Sequence, residues 1–308
     1  MVACAAFGLL VPRSAQAQVS FEVVGARALG MGGAFVAVAD DATATFWNPS
    51  MLVKGPLAGL TIAGDRFHFR DQDGLPGADA SRFSSQSAAF GAWPVGVSFL
   101  RLKAVGSVQS PSGGPSEYTL RTTQVGFTVL QSLGDFVVVG ATAKYLRGSA
   151  GFSASGADEL RGDSHGTFDI DVGFVAGTDR VRAAGTFKNL QRPRFETVGG
   201  KAIFLERLAR IGLSAVPRDG LTLAIDVTLD TADPLVGLRR TIAVGGEAQL
   251  SAKVALRAGV RWDQTGAGRP IGALGGSITL RQNLWLDGYV ARGRSRSQGF
   301  GIAMRAGM

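Results

Sequence analysis

The chain has 308 residues, 45% of them hydrophobic, and a formal net charge of +8. It contains no apolar run of about 18 residues, which argues against membrane-spanning helices. Its single cysteine, Cys4, lies in the N-terminal segment, which excludes a disulfide framework, a cysteine–metal site and a thiol nucleophile from the rest of the chain.

The N-terminal residues have the pattern of a secretory signal, expected over 1–17. Val2 to Val11 forms a short apolar stretch, and Ala15-Gln16-Ala17 is a small-residue cleavage site before Gln18. Residues 18–56 are expected to form a plug. Within them, Gly25 to Gly55 does not alternate as a strand would. Gly25, Arg27, Gly30, Gly32 and Gly33 lead into a small-residue run, then Asp40-Asp41, then Trp47-Asn48-Pro49. The glycines lack the G-x-G-x-x-G spacing of a dinucleotide site, and no βαβ unit follows them. Asp40 and Asp41 are expected in a helix cap or in hydrogen bonds from plug to wall. An Asn before Pro fits a turn where plug meets wall. Gly at four positions would also let this backbone shift.

From 57 to 308 apolar and polar residues alternate with period two, in runs of about ten. Phe168, Ile170, Val172 and Phe174 share one face and Asp169 and Asp171 the other; Val254, Leu256, Val260 and Trp262 oppose Arg257 and Arg261. A soluble β-sandwich alternates too, but its strands average about five or six residues. Long strands in series, with no helix between them, predict an all-β fold: a transmembrane antiparallel β-barrel of about 14 strands. Strands are expected near 57–70, 82–93, 95–104, 118–131, 136–147, 166–177, 180–189, 203–215, 220–230, 239–250, 253–263, 269–281, 283–292 and 298–307. Tight links follow the even-numbered strands and mostly longer, polar links the odd-numbered ones. That asymmetry places both termini in the periplasm and the long loops outside the cell. A barrel this wide is not filled by its own side chains, so a plug entering the lumen is the expected solution.

Charge on the inner face points to a network rather than to catalysis. Asp169 and Asp171, roughly 7 Å apart along one strand, are expected to pair with lumen cations such as Arg182, Lys188, Arg257 or Arg261. Asp226 and Glu247 belong to the same expected lumen set. Acid–base work or a route for a polar solute are the competing readings of the Asp pair. His68 and His165 stand in no triad or metal-ligand pattern, so no enzyme activity, cofactor or metal is expected. Basic residues are spread along the sequence without a basic helix, so the net charge is read as dispersed over rims and lumen, and no nucleic-acid partner is expected. Tyr145, Phe187 and Trp262 are candidates for interfacial belts, and Arg292, Arg294 and Arg296 for contact with lipopolysaccharide phosphates.

Gly25-Ala26-Arg27-Ala28-Leu29-Gly30-Met31-Gly32-Gly33-Ala34, with Val38-Ala39-Asp40-Asp41 and Phe46-Trp47-Asn48-Pro49, resembles the opening motif of the PorV/PorQ outer-membrane proteins. These sit in the wider FadL-like group of long-chain fatty acid transporters and toluene/xylene channels. Asn189-Leu190 resembles a recurring feature of PorV-type barrels, while Ser50 stands where that family usually has Ala. The resemblance implies a plugged, 14-stranded barrel in the bacterial outer membrane. Its partners would be outer-membrane lipid and lipopolysaccharide. It implies either passage or binding of hydrophobic small molecules, or a PorV-like role in which the barrel passes nothing and binds secretion-system proteins of type IX secretion or surface assembly.

Overall fold

In the computed structural model, the described residues are 24–70, 80–109, 115–154, 160–196, 202–205, 207–230, 239–263, 270–293 and 297–308. The signal expected over 1–17 lies outside them. Among the described residues fourteen antiparallel strands close on themselves. They are β1 (Ala58–Arg70), β2 (Ala80–Ala92), β3 (Val95–Gln109), β4 (Pro115–Leu133), β5 (Val137–Ala154), β6 (His165–Gly177) and β7 (Val181–Lys188). There follow β8 (Leu208–Arg218), β9 (Leu221–Asp230), β10 (Arg239–Ser251), β11 (Val254–Asp263), β12 (Ile271–Arg281), β13 (Leu284–Gly293) and β14 (Gln298–Gly307). Each strand pairs with its sequence neighbours, and β1 closes the barrel on β14, from Gly59 opposite Gly307 to His68 opposite Gln298.

Period-two alternation carries this fold. Along β3, Val95, Val97 and Phe99 point outward and exposed, while Ser98 and Leu102 turn in and are buried. Ile211, Leu213, Leu223, Ile225, Leu256, Leu274, Ile278 and Val290 give the far wall the same apolar exterior. Each strand has a neighbour on both sides, so closure leaves no strand at a sheet edge, although β6 pairs with β7 only over Val172–Gly177. Tight turns join β2 to β3, β4 to β5 and the later even-to-odd pairs. Gly134 and Asn283 sit in two of them at φ +75° and +63°, where Gly, or an Asn with its short polar side chain, fits the left-handed region.

The strands fall where alternation places them, with two differences. β3, β4 and β5 run 15, 19 and 18 residues, past the expected 95–104, 118–131 and 136–147. The loop-end halves of β4 and β5 present Arg121, Thr123, Arg147 and Ser149 outward, so the apolar rhythm fades while the ladder continues. The expected strand over 203–215 divides into Ala202–Phe204 and β8. Ala202–Phe204 pairs with Arg194–Glu196 as a separate hairpin between β7 and β8.

Residues 24–56 thread the barrel interior. They comprise α1 (Ala26–Gly30), α2 (Ala44–Trp47) and a 3₁₀ turn over Pro49–Lys54. Every residue from Val24 to Leu52 is buried except Asp40. Phe35, Met31, Val36, Val38 and Met51 form the centre of a core shared with wall residues Leu130, Val138, Val175 and Ala243.

Candidate functional site

The site is the seam between this inner segment and the wall, together with the apolar lumen beside it. Small wall residues make the seam possible. Gly245 on β10 and Gly259 on β11 lie opposite each other in the ladder. They receive the Met31–Gly32 backbone so closely that a methyl on Gly259 would sit 2.5 Å from the Gly32 nitrogen. Gly32 itself, at φ +69°, comes within 2.8 Å of the Val260 nitrogen when a Cβ is built on it. A methyl on Gly140 of β5 would likewise meet the Ser50 nitrogen at 2.6 Å. Glycines of the wall, and Gly32 among those expected to let the inner segment shift, thus serve here as contact surface between two backbones.

Polar contacts lock the seam. Arg27 of α1 reaches across the lumen and donates two bonds to Glu247, Nε to Oε2 and Nη2 to Oε1, both 2.8 Å. Its Nη1 also meets Asp40, and Asp41 Oδ2 at 3.3 Å. Burial alone would lower the Arg27 pKa; the negative field of Asp40, Glu247 and Asp41 outweighs it and holds the guanidinium firmly charged. From Glu247 the chain of opposite charges continues along the wall: to Arg257, on to Asp287 at 3.2 Å, and to Arg305 at 2.6 Å. Asp41 also accepts the Thr43 N–H at 2.9 Å, which caps the turn into α2.

A second anchor is Asp226 on β9. Its Oδ2 accepts the backbone N–H groups of Phe35 and Val36, both at 2.8 Å. Asp65 on β1 accepts the Gly25 N–H at 3.0 Å. Asn48 uses its whole hydrogen-bonding capacity: Nδ2 donates to the Val36 and Phe174 carbonyls at 3.1 Å each, and Oδ1 accepts from Ser50 N and Oγ. Pro49 then starts the 3₁₀ turn with no N–H to satisfy. Ser50 thereby acquires a structural use as donor to Asn48. Trp47 donates to the Val24 carbonyl at 3.1 Å and packs edge-on against Phe35.

The remaining expected lumen residues divide. Asp169 and Asp171 of β6 are buried and meet one cation, Lys144 of β5, at 2.8 and 2.6 Å. Lys144 thus takes the place expected for Arg182, Lys188, Arg257 or Arg261. Arg182 instead donates to Ser214 at 3.3 Å, Arg257 belongs to the Glu247–Asp287 chain, and Arg261 lies over the Phe67 ring. Lys188 lies close enough to Asp171 and Asp169 to feel the charge of both. The Asp pair does a further job. Asp171 accepts the Asn189 N–H and Asp169 the Gln191 N–H, both at 2.9 Å, while Lys144 donates to Asn189 Oδ1 at 3.0 Å. Asn189 takes φ +58°, which turns the chain out of β7 and inward. Nothing local in the sequence pairs Lys144 with Asp169 and Asp171, 25 and 27 positions away, so pattern reading passes it over.

That turn delivers the short hairpin into the lumen. Phe195 is buried against the inner face of β5, where a methyl on Gly148 would meet its ring at 2.6 Å. Around it lies an apolar cluster: Phe67, Phe83, Leu120, Leu146, Ile271 and Tyr289 from the wall, with Leu29 from α1. The Tyr289 hydroxyl and Asp65 Oδ1 are buried at its side and make no hydrogen bond among the described residues. The ordinary interior of an open membrane barrel is polar. An apolar cluster between a latched hairpin and a locked plug is a different design, which alternation alone does not foretell.

Three solved structures are similar to the whole chain. They are the toluene transporter TbuX of Ralstonia pickettii, the monoaromatic hydrocarbon channel CymD and a FadL homologue of Pseudomonas aeruginosa, with TM-scores of 0.69, 0.69 and 0.67. The fold of this chain is theirs. Sequence identities are only 12%, 14% and 14%, with 93%, 93% and 94% of this chain and 99%, 98% and 99% of those chains aligned. At that identity the likeness establishes architecture. No protein-family model and no curated protein sequence matches the chain.

Proposed function

We propose that the protein is an outer-membrane barrel that binds a hydrophobic small molecule on the loop side of its plug and passes it inward, with both termini in the periplasm. The observation that carries this reading is the apolar lumen cluster around Phe83, Leu120, Phe195 and Leu29, in a place where a water-filled pore would be polar. The exposed apolar exterior supports the membrane setting. The likeness in fold to a toluene transporter, a monoaromatic hydrocarbon channel and a FadL homologue supports the class of molecule. The PorV-like role in type IX secretion gains no support from these likenesses.

The chemistry follows from partition. An apolar molecule gains by leaving water for the Phe83–Phe195 cluster, at roughly 25 cal/mol for each Å² of apolar surface removed. The Asp171–Lys144–Asn189 latch sets how readily the hairpin lifts to admit it, and the Arg27–Glu247 lock sets whether it can leave past the plug. Tyr289 and Asp65 offer a polar edge. The test is equilibrium binding of radiolabelled toluene and of a sixteen-carbon fatty acid to the purified protein. Saturable binding that weakens at least tenfold in Phe195→Asp and Phe83→Asp is expected. Wild-type protein that binds neither compound saturably overturns the reading.

A further inference from the structure

The basic residues that appear scattered in sequence are gathered by the fold on one outward face. On β1 to β5 the apolar exterior stops at a row containing Ile62, Ala88, Phe99, Val125 and Tyr145, consecutive neighbours across the ladder. The next row toward the loop end holds Arg101, Thr123 and Arg147, and the one beyond it Arg66, Ser84, Lys103, Arg121 and Ser149. Within the charge expected over rims and lumen, five cations from four strands sit together on the exterior toward the loop end.

They line a depression of about 700 Å³. Its floor is made of small and polar residues, among them Gly64, Ser84 and Ser149, and one flank is apolar, with Phe300 and Ile302 of β14. Among the described residues the single carboxylate in its lining is Asp65, which turns inward to Gly25. Arg66, Arg101, Lys103 and Arg147 are exposed, and Arg147 is steered by its bond to Ser164 Oγ at 3.2 Å. Further toward the loops the charges balance, as Arg82 pairs with Glu117 at 2.7 Å.

Clustered cations repel one another, and those on the outward face of a membrane barrel are tolerated only near the interface. A row of them directly above an apolar belt marks the level of lipid head groups. Guanidinium forks suit phosphate oxygens, and the Phe300–Ile302 flank suits an acyl chain. We propose that this depression is a binding site for a phosphorylated lipid of the leaflet around the loop end, held by phosphate on Arg66, Arg101, Lys103 and Arg147 with its chain along Phe300 and Ile302. The proposal rests on the membrane placement given above but not on transport, so the two fail separately.

The test is native mass spectrometry of the full purified barrel mixed with bisphosphorylated lipid A or with the same lipid stripped of phosphate. One bound bisphosphorylated lipid is expected, with at least tenfold less adduct from the stripped lipid. The same loss is expected in Arg66→Gln/Arg101→Gln/Lys103→Gln, and none in Lys253→Gln, an exposed cation at the tight turn between β10 and β11 on the opposite rim. Equal adducts from both lipids with wild-type protein overturn the proposal, whatever the variants do. Full displacement by inorganic pyrophosphate also overturns it, since the ligand would then be a soluble anion rather than a lipid.

Discussion

Replacing Arg27 by Met removes the cation that ties plug to wall while keeping a long apolar side chain. Two 2.8 Å bonds to Glu247 are lost, together with the contacts to Asp40 and Asp41. Breaking a buried pair by removing one partner costs about 3–5 kcal/mol, mostly because the other charge stays behind. Glu247 keeps Arg257, and Asp40 is partly exposed, so the lower end applies. A loss of about 3 kcal/mol raises the undocked fraction of the plug by roughly 150-fold, at a factor of ten for each 1.4 kcal/mol. Single-channel recording in planar bilayers reads this directly. Wild-type protein should be closed with rare openings, and Arg27→Met should open frequently and expose the Val24–Gly55 segment to protease. Arg27→Lys, which keeps charge but loses the fork, should fall between. Unchanged conductance and unchanged protease resistance in Arg27→Met would refute the lock.

Gly259→Ala should shift the plug more than its single methyl suggests, because the new carbon meets the Met31–Gly32 backbone and not a flexible side chain; a fall in thermal midpoint with increased conductance checks this. Asn48→Asp should destabilise at least as much as Asn48→Ala, by about 2 kcal/mol or more, since it sets a carboxylate against the Val36 and Phe174 carbonyls; denaturant titration compares the two. Lys144→Met should strand two neighbouring carboxylates and free the start of the hairpin loop, seen as faster hydrogen exchange at Asn189 and Gln191. At the tight turn after β6, the bond and charge of Lys54 lower the pKa of exposed Asp179, so this tie is intact above the usual carboxylate value of 3.8 and is lost as pH falls through the lowered one. Hydrogen exchange over residues 52–55 should rise on acidification below about 4, and Asp179→Asn should abolish that rise.

Much of the wall was legible because one rule, period two, governs every strand, and a misplaced charge betrays which face is which. Phe168 to Phe174 and Val254 to Trp262 show it without help. The inner segment was legible as something other than strand, and Asn48-Pro49 as a turn against the wall. Contacts between distant parts of the chain were not legible. Arg27 and Glu247 are 220 positions apart, and Asp226 serves N–H groups about 190 positions away. Lys144 was passed over because nothing beside it in sequence calls for a cation. Phe195 was passed over because a three-residue strand carries no period. The outward cations were legible singly but not as a cluster, since only the ladder brings β1, β3, β4 and β5 side by side.

The facing pair Gly245 and Gly259 has one more consequence. Each flanks an outward valine, Val244 and Val260, themselves opposite each other in the ladder. A slip of one residue in β10 or β11 would turn that strand's side chains over. A valine would then stand where Met31 must pass, and the inner segment could not seat. The segment that closes the lumen is therefore also a gauge: it fits a wall assembled in the correct alignment and rejects one that is off by a single step.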